Sequence, residues 1–114
     1  MEFNNTTGIR KDYEFRRIYK NGKSFANRYM VVYVMKNRTD NTRIGISVSK
    51  KVGNAVTRNR IRRIIKESYR LNVDPKVKKG YDLVFISRVA AKDADYKTIE
   101  KSICGLVKKA GVLI

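Results

Sequence analysis

The sequence predicts a single α+β domain, a small β-sheet backed by helices, with its elements in the order αββαβα. Three observations carry that expectation. The chain has 114 residues, 42% of them apolar, which suits one domain with a modest core. Three runs rich in β-branched and aromatic residues, at 29–36, 43–49 and 81–87, read as strands. Three other segments, at about 12–20, 57–71 and 95–110, carry apolar residues at helical spacing. No repeat, low-complexity tract or internal linker interrupts them. Residues 1–114 therefore read as one domain, with about 1–8 expected as a flexible N-terminus.

The first helix, DYEFRRIYK, opens on Asp12 as a candidate cap and has Gly22 just past its end. Phe15, Ile18 and Tyr19 share one face. The strand YMVVYVMK, 29–36, is apolar on both faces and should be central or covered. Asp and Asn in RTDNT, 38–42, mark a turn. In RIGISVS, 43–49, Ile44, Ile46 and Val48 alternate with Gly45, Ser47 and Ser49, giving a half-buried strand antiparallel to its predecessor. Gly53 and Asn54 break that pattern, and a helix follows from about Thr57 to Leu71. Ile61, Ile64, Ile65 and Tyr69 form its buried stripe. Pro75 marks a connection to the strand YDLVFIS, so the stretch from 43 to 87 can be a crossover between parallel strands. The last helix buries Ile99, Ile103, Leu106, Val107 and Ala110 and ends at Gly111. Cys104 lies off that stripe as an incidental, half-exposed thiol.

Charge narrows the function. The formal net charge is +17, from 27 lysines and arginines against 10 acids. Such an imbalance repels itself in a compact state, and a polyanionic partner explains it economically. No stretch approaches the roughly eighteen apolar residues of a membrane span. The N-terminus lacks the basic-then-apolar order of a signal peptide, and one cysteine allows neither an internal disulfide nor a Cys-based zinc site. A reducing cytoplasm is the expected compartment. There is no histidine, and the acids are scattered apart from Asp93 and Asp95. A self-sufficient nuclease would need a general base or a carboxylate cluster for its metal ions. No catalytic residue, bound metal or cofactor is expected on the chain itself.

The charge is concentrated in KKVGNAVTRNRIRRIIKESYR, residues 50–70, where eight lysines and arginines face one acid, Glu67. On a helical wheel Asn59, Arg62, Arg63, Lys66 and Arg70 lie opposite the apolar stripe. A helix N-terminus already offers unpaired N–H groups and the positive end of the dipole to phosphate. Lys50 and Lys51 precede that terminus, and Arg58 and Arg60 flank it. Arginine suits bidentate phosphate contact and stacking.

The run RIGISVSKKVGNAVTRNRIRRIIKESYR resembles the signature of the protein subunit of bacterial ribonuclease P, with an Arg-Asn-Arg centre after a glycine-asparagine loop. KDYEFRRIYKNGKSFANRYMVVYV upstream and GYDLVFISR downstream extend the resemblance over nearly the whole chain. The resemblance implies the non-catalytic subunit of an endoribonuclease that removes the 5′ leader from precursor transfer RNA. It implies an RNA subunit that performs the cleavage with magnesium ions, and a protein that is monomeric without RNA. It places catalytic-RNA contacts at Lys50, Lys51, Asn54, Arg58, Asn59, Arg60, Arg62, Arg63 and Lys66. Asn59, uncharged, can donate and accept hydrogen bonds at a defined RNA edge. The resemblance also implies a cleft for the single-stranded leader at Phe15, Tyr19, Tyr33, Ile86 and Arg88, although by themselves these rings read as core. An uncommon left-handed crossover is implied by the resemblance alone, since the general rule favours the right hand. Two other readings remain open: a general RNA-binding or ribosome-associated protein, and an autonomous nuclease.

Overall fold

In the computed structural model, which describes residues 3–114, the chain runs β1 (Thr6–Gly8), α1 (Asp12–Asn21), β2 (Lys23–Ala26), β3 (Met30–Lys36), β4 (Thr42–Ser47), α2 (Ala55–Asn72), β5 (Tyr81–Ser87) and α3 (Tyr96–Ala110). Short 3-10 turns at Asp74–Lys76 and Val89–Asp93 flank β5. The predicted αββαβα order is present, with two short strands added. The five strands form one sheet in the order β1-β4-β5-β3-β2.

β4 and β5 are parallel neighbours joined through α2, as the crossover reading anticipated. The expected pairing of β3 with β4 needs correction. The two strands run in opposite directions, but β5 lies between them, antiparallel to β3 and parallel to β4. Burial explains the choice. Leu83, Val84 and Phe85 are all fully buried, so β5 needs cover on both faces and a neighbour on both sides.

Near the N-terminus the structure adds a strand that the sequence did not predict. Thr6–Gly8, placed in a flexible terminus, forms β1 and pairs parallel to Thr42–Ile44. Asp74 anchors it, accepting from the Asn4 amide at 2.9 Å, the Asn5 amide at 3.1 Å and the Thr6 hydroxyl at 2.6 Å. The expectation for residues 1 and 2 lies outside the described residues.

The sheet is covered unequally. α2 and α3 pack on one face over Met30, Val32, Ile44, Leu83 and Phe85. The other face carries only the ten-residue α1, over a small cluster of Ile9, Ile18 and Val84. A helix of ten residues is about 15 Å long, too short to roof five strands, so a furrow stays open beside it.

Helix ends follow local chemistry. Asn54 caps α2, its side chain accepting from the Thr57 amide, and Asp95 caps α3 through Thr98. Asp12 is not a cap: Lys11 takes that position without a side-chain bond, and Asp12 sits in the first turn. Gly111 ends α3 at φ 70°, a left-handed conformation that glycine adopts without strain.

Candidate nucleic-acid interface

α2 presents its cations on three flanks. Ile61, Ile65 and Tyr69 are fully buried, and Ile64 is half-buried beside them. Asn59, Arg63, Lys66 and Arg70 stand exposed opposite, and Lys50 and Lys51 lie exposed on the approach loop. Arg62 and Lys66, one turn apart, face the edge of β4. Some of the predicted RNA-contacting groups are already engaged within the protein. Asn54 holds the helix cap with its oxygen on the Thr57 amide at 2.9 Å. Arg58 donates to the Gly53 carbonyl at 3.2 Å, and Arg62 donates to the Asn59 oxygen at 3.1 Å. Arg60 reaches across to the turn before α3, donating to the carbonyls of Lys92 at 2.7 Å and Ala94 at 3.2 Å. That guanidinium ties two elements together. Arg63, Lys66, Lys50 and Lys51 are the open cations.

On the α1 side of the sheet, Phe15, Tyr19 and Tyr33 form a continuous aromatic strip. The Phe15 and Tyr19 centroids are 6.4 Å apart, and Tyr19 meets Tyr33 edge-on at 5.1 Å. Tyr19 is 36% exposed, while Phe15, Tyr33 and Ile86 are half-buried around it. Burial pushes the Tyr19 phenol above its ordinary pKa. Arg88 does not join the strip: it stands beyond the end of β5 and donates to the Asn27 carbonyl at 2.9 Å.

Two openings meet at Phe15. One, of about 550 Å³, lies between α1, β1 and α2, with Phe15, Gly45, Ile46, Arg62 and Lys66 in its walls. The other, of about 390 Å³, lies along α1 with Asp12, Arg16, Tyr19 and Ser47. The furrow thus runs from an aromatic strip to the flank of the basic helix. Beneath it, Arg43 pairs with Glu14 of α1 and with the fully buried Asp82, at 2.7 Å from the latter. The hydrogen bond from Arg43 holds the Glu14 carboxyl below its ordinary range, and Asp82, as hydrogen-bond acceptor, raises the Arg43 pKa further. This part-buried network pins α1 to the sheet.

Sequence relatives and solved structures both match this chain closely. A ribonuclease P protein component of Clostridioides difficile (strain 630) is 61% identical over 114 residues, covering both chains completely. One from Clostridium botulinum (strain Loch Maree / Type A3) is 59% identical over 91% of this chain and 94% of its own. Among solved structures, the RNase P protein of Staphylococcus aureus matches with a TM-score of 0.87 at 42% identity, over 94% of this chain and 97% of that one. The RNase P protein of Thermotoga maritima matches with a TM-score of 0.80 at 35% identity, over 89% and 94%. The family model for ribonuclease P matches residues 3–111. The chain belongs to the ribonuclease P protein family. That family is the protein subunit of the ribonucleoprotein endoribonuclease that matures the 5′ end of transfer RNA, so an RNA partner is intrinsic to its role.

For a ribonuclease P protein, the residues that sequence reasoning missed are those that shape the furrow. A Cβ at Gly45 would stand 2.5 Å from Phe15 Cε1, so the ring occupies the space a side chain would fill. Ser47 and Ile46 on β4 and Arg16 on α1 complete the walls. The alternation in 43–49 had already put Gly45 and Ser47 on one face; what it lacked was the knowledge that α1 lies there. Among the described residues, no group of three or more cysteine, aspartate and glutamate side chains comes together to hold a metal ion, and no helix is long and apolar enough to cross a membrane. Burial raises the Cys104 thiol, which makes it a poor nucleophile.

Proposed function

We propose that this ribonuclease P protein holds the catalytic RNA with α2 and its approach loop while the aromatic furrow beside α1 takes the single-stranded leader of precursor transfer RNA. The observation that carries this reading is the shared opening at Phe15, where an aromatic ring and the cations Arg62 and Lys66 face the same space. Single strands are held by aromatic faces plus a cationic groove that tolerates varied sequence. Lys50, Lys51, Arg62, Arg63 and Lys66 are the phosphate contacts of this proposal, with Asn59 oriented by Arg62. Asn54, Arg58 and Arg60 support them by shaping the helix and its loop. Phe15, Tyr19, Tyr33 and Ile86 form the leader furrow, and Arg88 lies at its margin. The magnesium ions of the cleavage chemistry belong to the RNA subunit, and the free protein is a cytoplasmic monomer. A general RNA-binding role shares the charge but has no use for an aromatic furrow.

The test compares ligands. Phe15→Ala and Tyr33→Ala should weaken binding of precursor transfer RNA in the assembled particle while mature transfer RNA and the catalytic RNA bind as before. A stacked base is worth on the order of 1–3 kcal/mol, and only the precursor has leader bases to stack. A large-to-small change can also cost about 3–5 kcal/mol of stability, so only variants with a cooperative thermal melt count. Equal loss of precursor and mature transfer RNA would move the leader elsewhere.

A further inference from the structure

The basic segment 50–70 accounts for eight of the 27 cations, and a second concentration stands at the end of the sheet away from its approach loop. There β3 ends at Lys36, directly across from the start of β5 at Tyr81. Lys23, Lys36 and Lys109 line a cavity of about 520 Å³, and Lys36, Arg38, Lys78 and Lys79 line one of about 370 Å³ next to it. Lys36 and Tyr81 belong to both, which makes them one surface. No carboxylate lines either cavity, and among the described residues none of these six cations forms a salt bridge. Asp40 shares a wall with Lys79 only in a separate hollow.

The cations are mounted on a wound frame. Arg38 is the one non-glycine residue with positive φ among the described residues, at 60°. A bulky side chain rarely adopts that conformation, and it persists only where the surroundings impose it. Asn37 imposes it by donating to the Asn41 carbonyl at 2.7 Å and to Asp82 at 2.8 Å while accepting from the Thr39 amide at 3.0 Å. Gly80, at φ 85°, closes the other side; a Cβ there would stand 2.6 Å from the Thr39 carbonyl oxygen. Lys78 adds a bond to the Gly111 carbonyl at 3.1 Å. Like charges held together without a counter-charge repel, and a polyanion relieves that repulsion.

We infer that this pole is a second RNA-binding surface, taking the phosphodiester backbone of a segment distinct from the one that α2 and the furrow hold. The approach loop of α2 follows the Ser47 end of β4, level with Ile86, and this pole lies at the Tyr81 end of β5, about five residues or roughly 17 Å away along the strands. One phosphate cannot serve both. The inference rests on the reading of the chain as an RNA-binding subunit. The segment comes from the catalytic RNA or from the body of the precursor, and both offer the same backbone chemistry.

The experiment measures affinity against salt for the full-length triple variant Lys36→Gln/Arg38→Asn/Lys79→Gln, first with the catalytic RNA and then, in the assembled particle, with precursor transfer RNA. Asparagine tolerates the left-handed conformation at position 38, so the melting temperature should hold or rise. Losing three phosphate contacts should flatten the log–log salt slope by about two units, at roughly 0.7–0.9 per contact. Affinity at fixed salt should fall tenfold or more. Flattening with the first RNA or with the second supports the inference and identifies the source. Arg62→Ala/Arg63→Ala runs alongside as the α2 control. If only the control flattens the slope, the second pole is a solvated face and the inference is wrong. If neither variant does, the RNA-binding reading of α2 falls with it.

Discussion

At Gly45 the absence of a side chain makes room for the Phe15 ring, whose Cε1 and Cζ would lie 2.5 Å and 2.7 Å from a Cβ. Gly45→Ala must push the ring aside. The ring is the far end of a rotatable, half-exposed side chain, so it can swing toward solvent at little cost to the fold. Gly45→Ala should therefore keep nearly the parent melting temperature yet lose leader-dependent binding as fully as Phe15→Ala does. Comparing precursor with mature transfer RNA affinity checks this, and parent-like discrimination would show that the ring position is unimportant. At Arg60, five donors in a rigid fork allow a structural role and an RNA contact together. Its two carbonyl bonds nevertheless make it first a brace between α2 and the turn at 89–93.

Among the elements, α1 depends most on a few contacts, because it covers its face of the sheet alone. Ile18 is fully buried beneath it, and Glu14 grips Arg43, which in turn grips Asp82. Arg17 adds a longer approach to Asp82 at 3.9 Å. The sign of the pH dependence follows from Glu14, whose folded pKa lies below its unfolded value. Its contribution is full above the ordinary carboxylate range and is lost as the pH falls through the depressed folded value. Thermal melts taken from neutral pH down to about pH 3 should show the parent losing more stability than Glu14→Gln. Identical acid limbs would mean that the pair contributes nothing to docking α1. α2 is held differently, by an apolar stripe along its length and a cap at Asn54 worth about 1 kcal/mol. The helix that carries the cations is the better anchored of the two.

Over the whole molecule, the Cα radius of gyration is 12.9 Å, that of one compact domain, and the chain closes on itself through Asp74. This buried carboxylate, 2% exposed, gathers the Asn4 and Asn5 amides and the Thr6 hydroxyl, and Thr6 also meets the Tyr69 hydroxyl at 2.9 Å. The end of α2, the core and β1 are thereby joined. β1 also flanks the larger of the two openings at Phe15, so the latch fixes one wall of the proposed leader furrow. Asp74→Ala leaves several donors unsatisfied and should cost about 1–3 kcal/mol. Hydrogen exchange should speed up first at β1 and at its partner residues 42–44, while amides at the centre of β5 keep their protection. Uniform acceleration across the sheet would contradict a local latch.

The sequence by itself determined the fold class, the six major elements to within two residues at most boundaries, the basic face of α2 and the family. These are properties of periodicity, composition and local motif, carried by neighbours along the chain. β1 and β2 escaped because three or four residues are too few to show a periodicity; they are strands only because β4 and β3 offer them hydrogen bonds. The rings at 15, 19 and 33 could be core or site from their identity alone. Tertiary structure showed that they line an open furrow, because α1 is too short to cover the face on which it docks. It also decided that Arg60 acts partly as a brace, since the Lys92 carbonyl that it meets lies 32 residues along the chain, whereas the Asn54 cap on the Thr57 amide is a local motif. Above all it placed β5 between β3 and β4. Local patterning specifies that a strand is buried on both faces, and only the competition of all strands for the centre of the sheet specifies which one takes it.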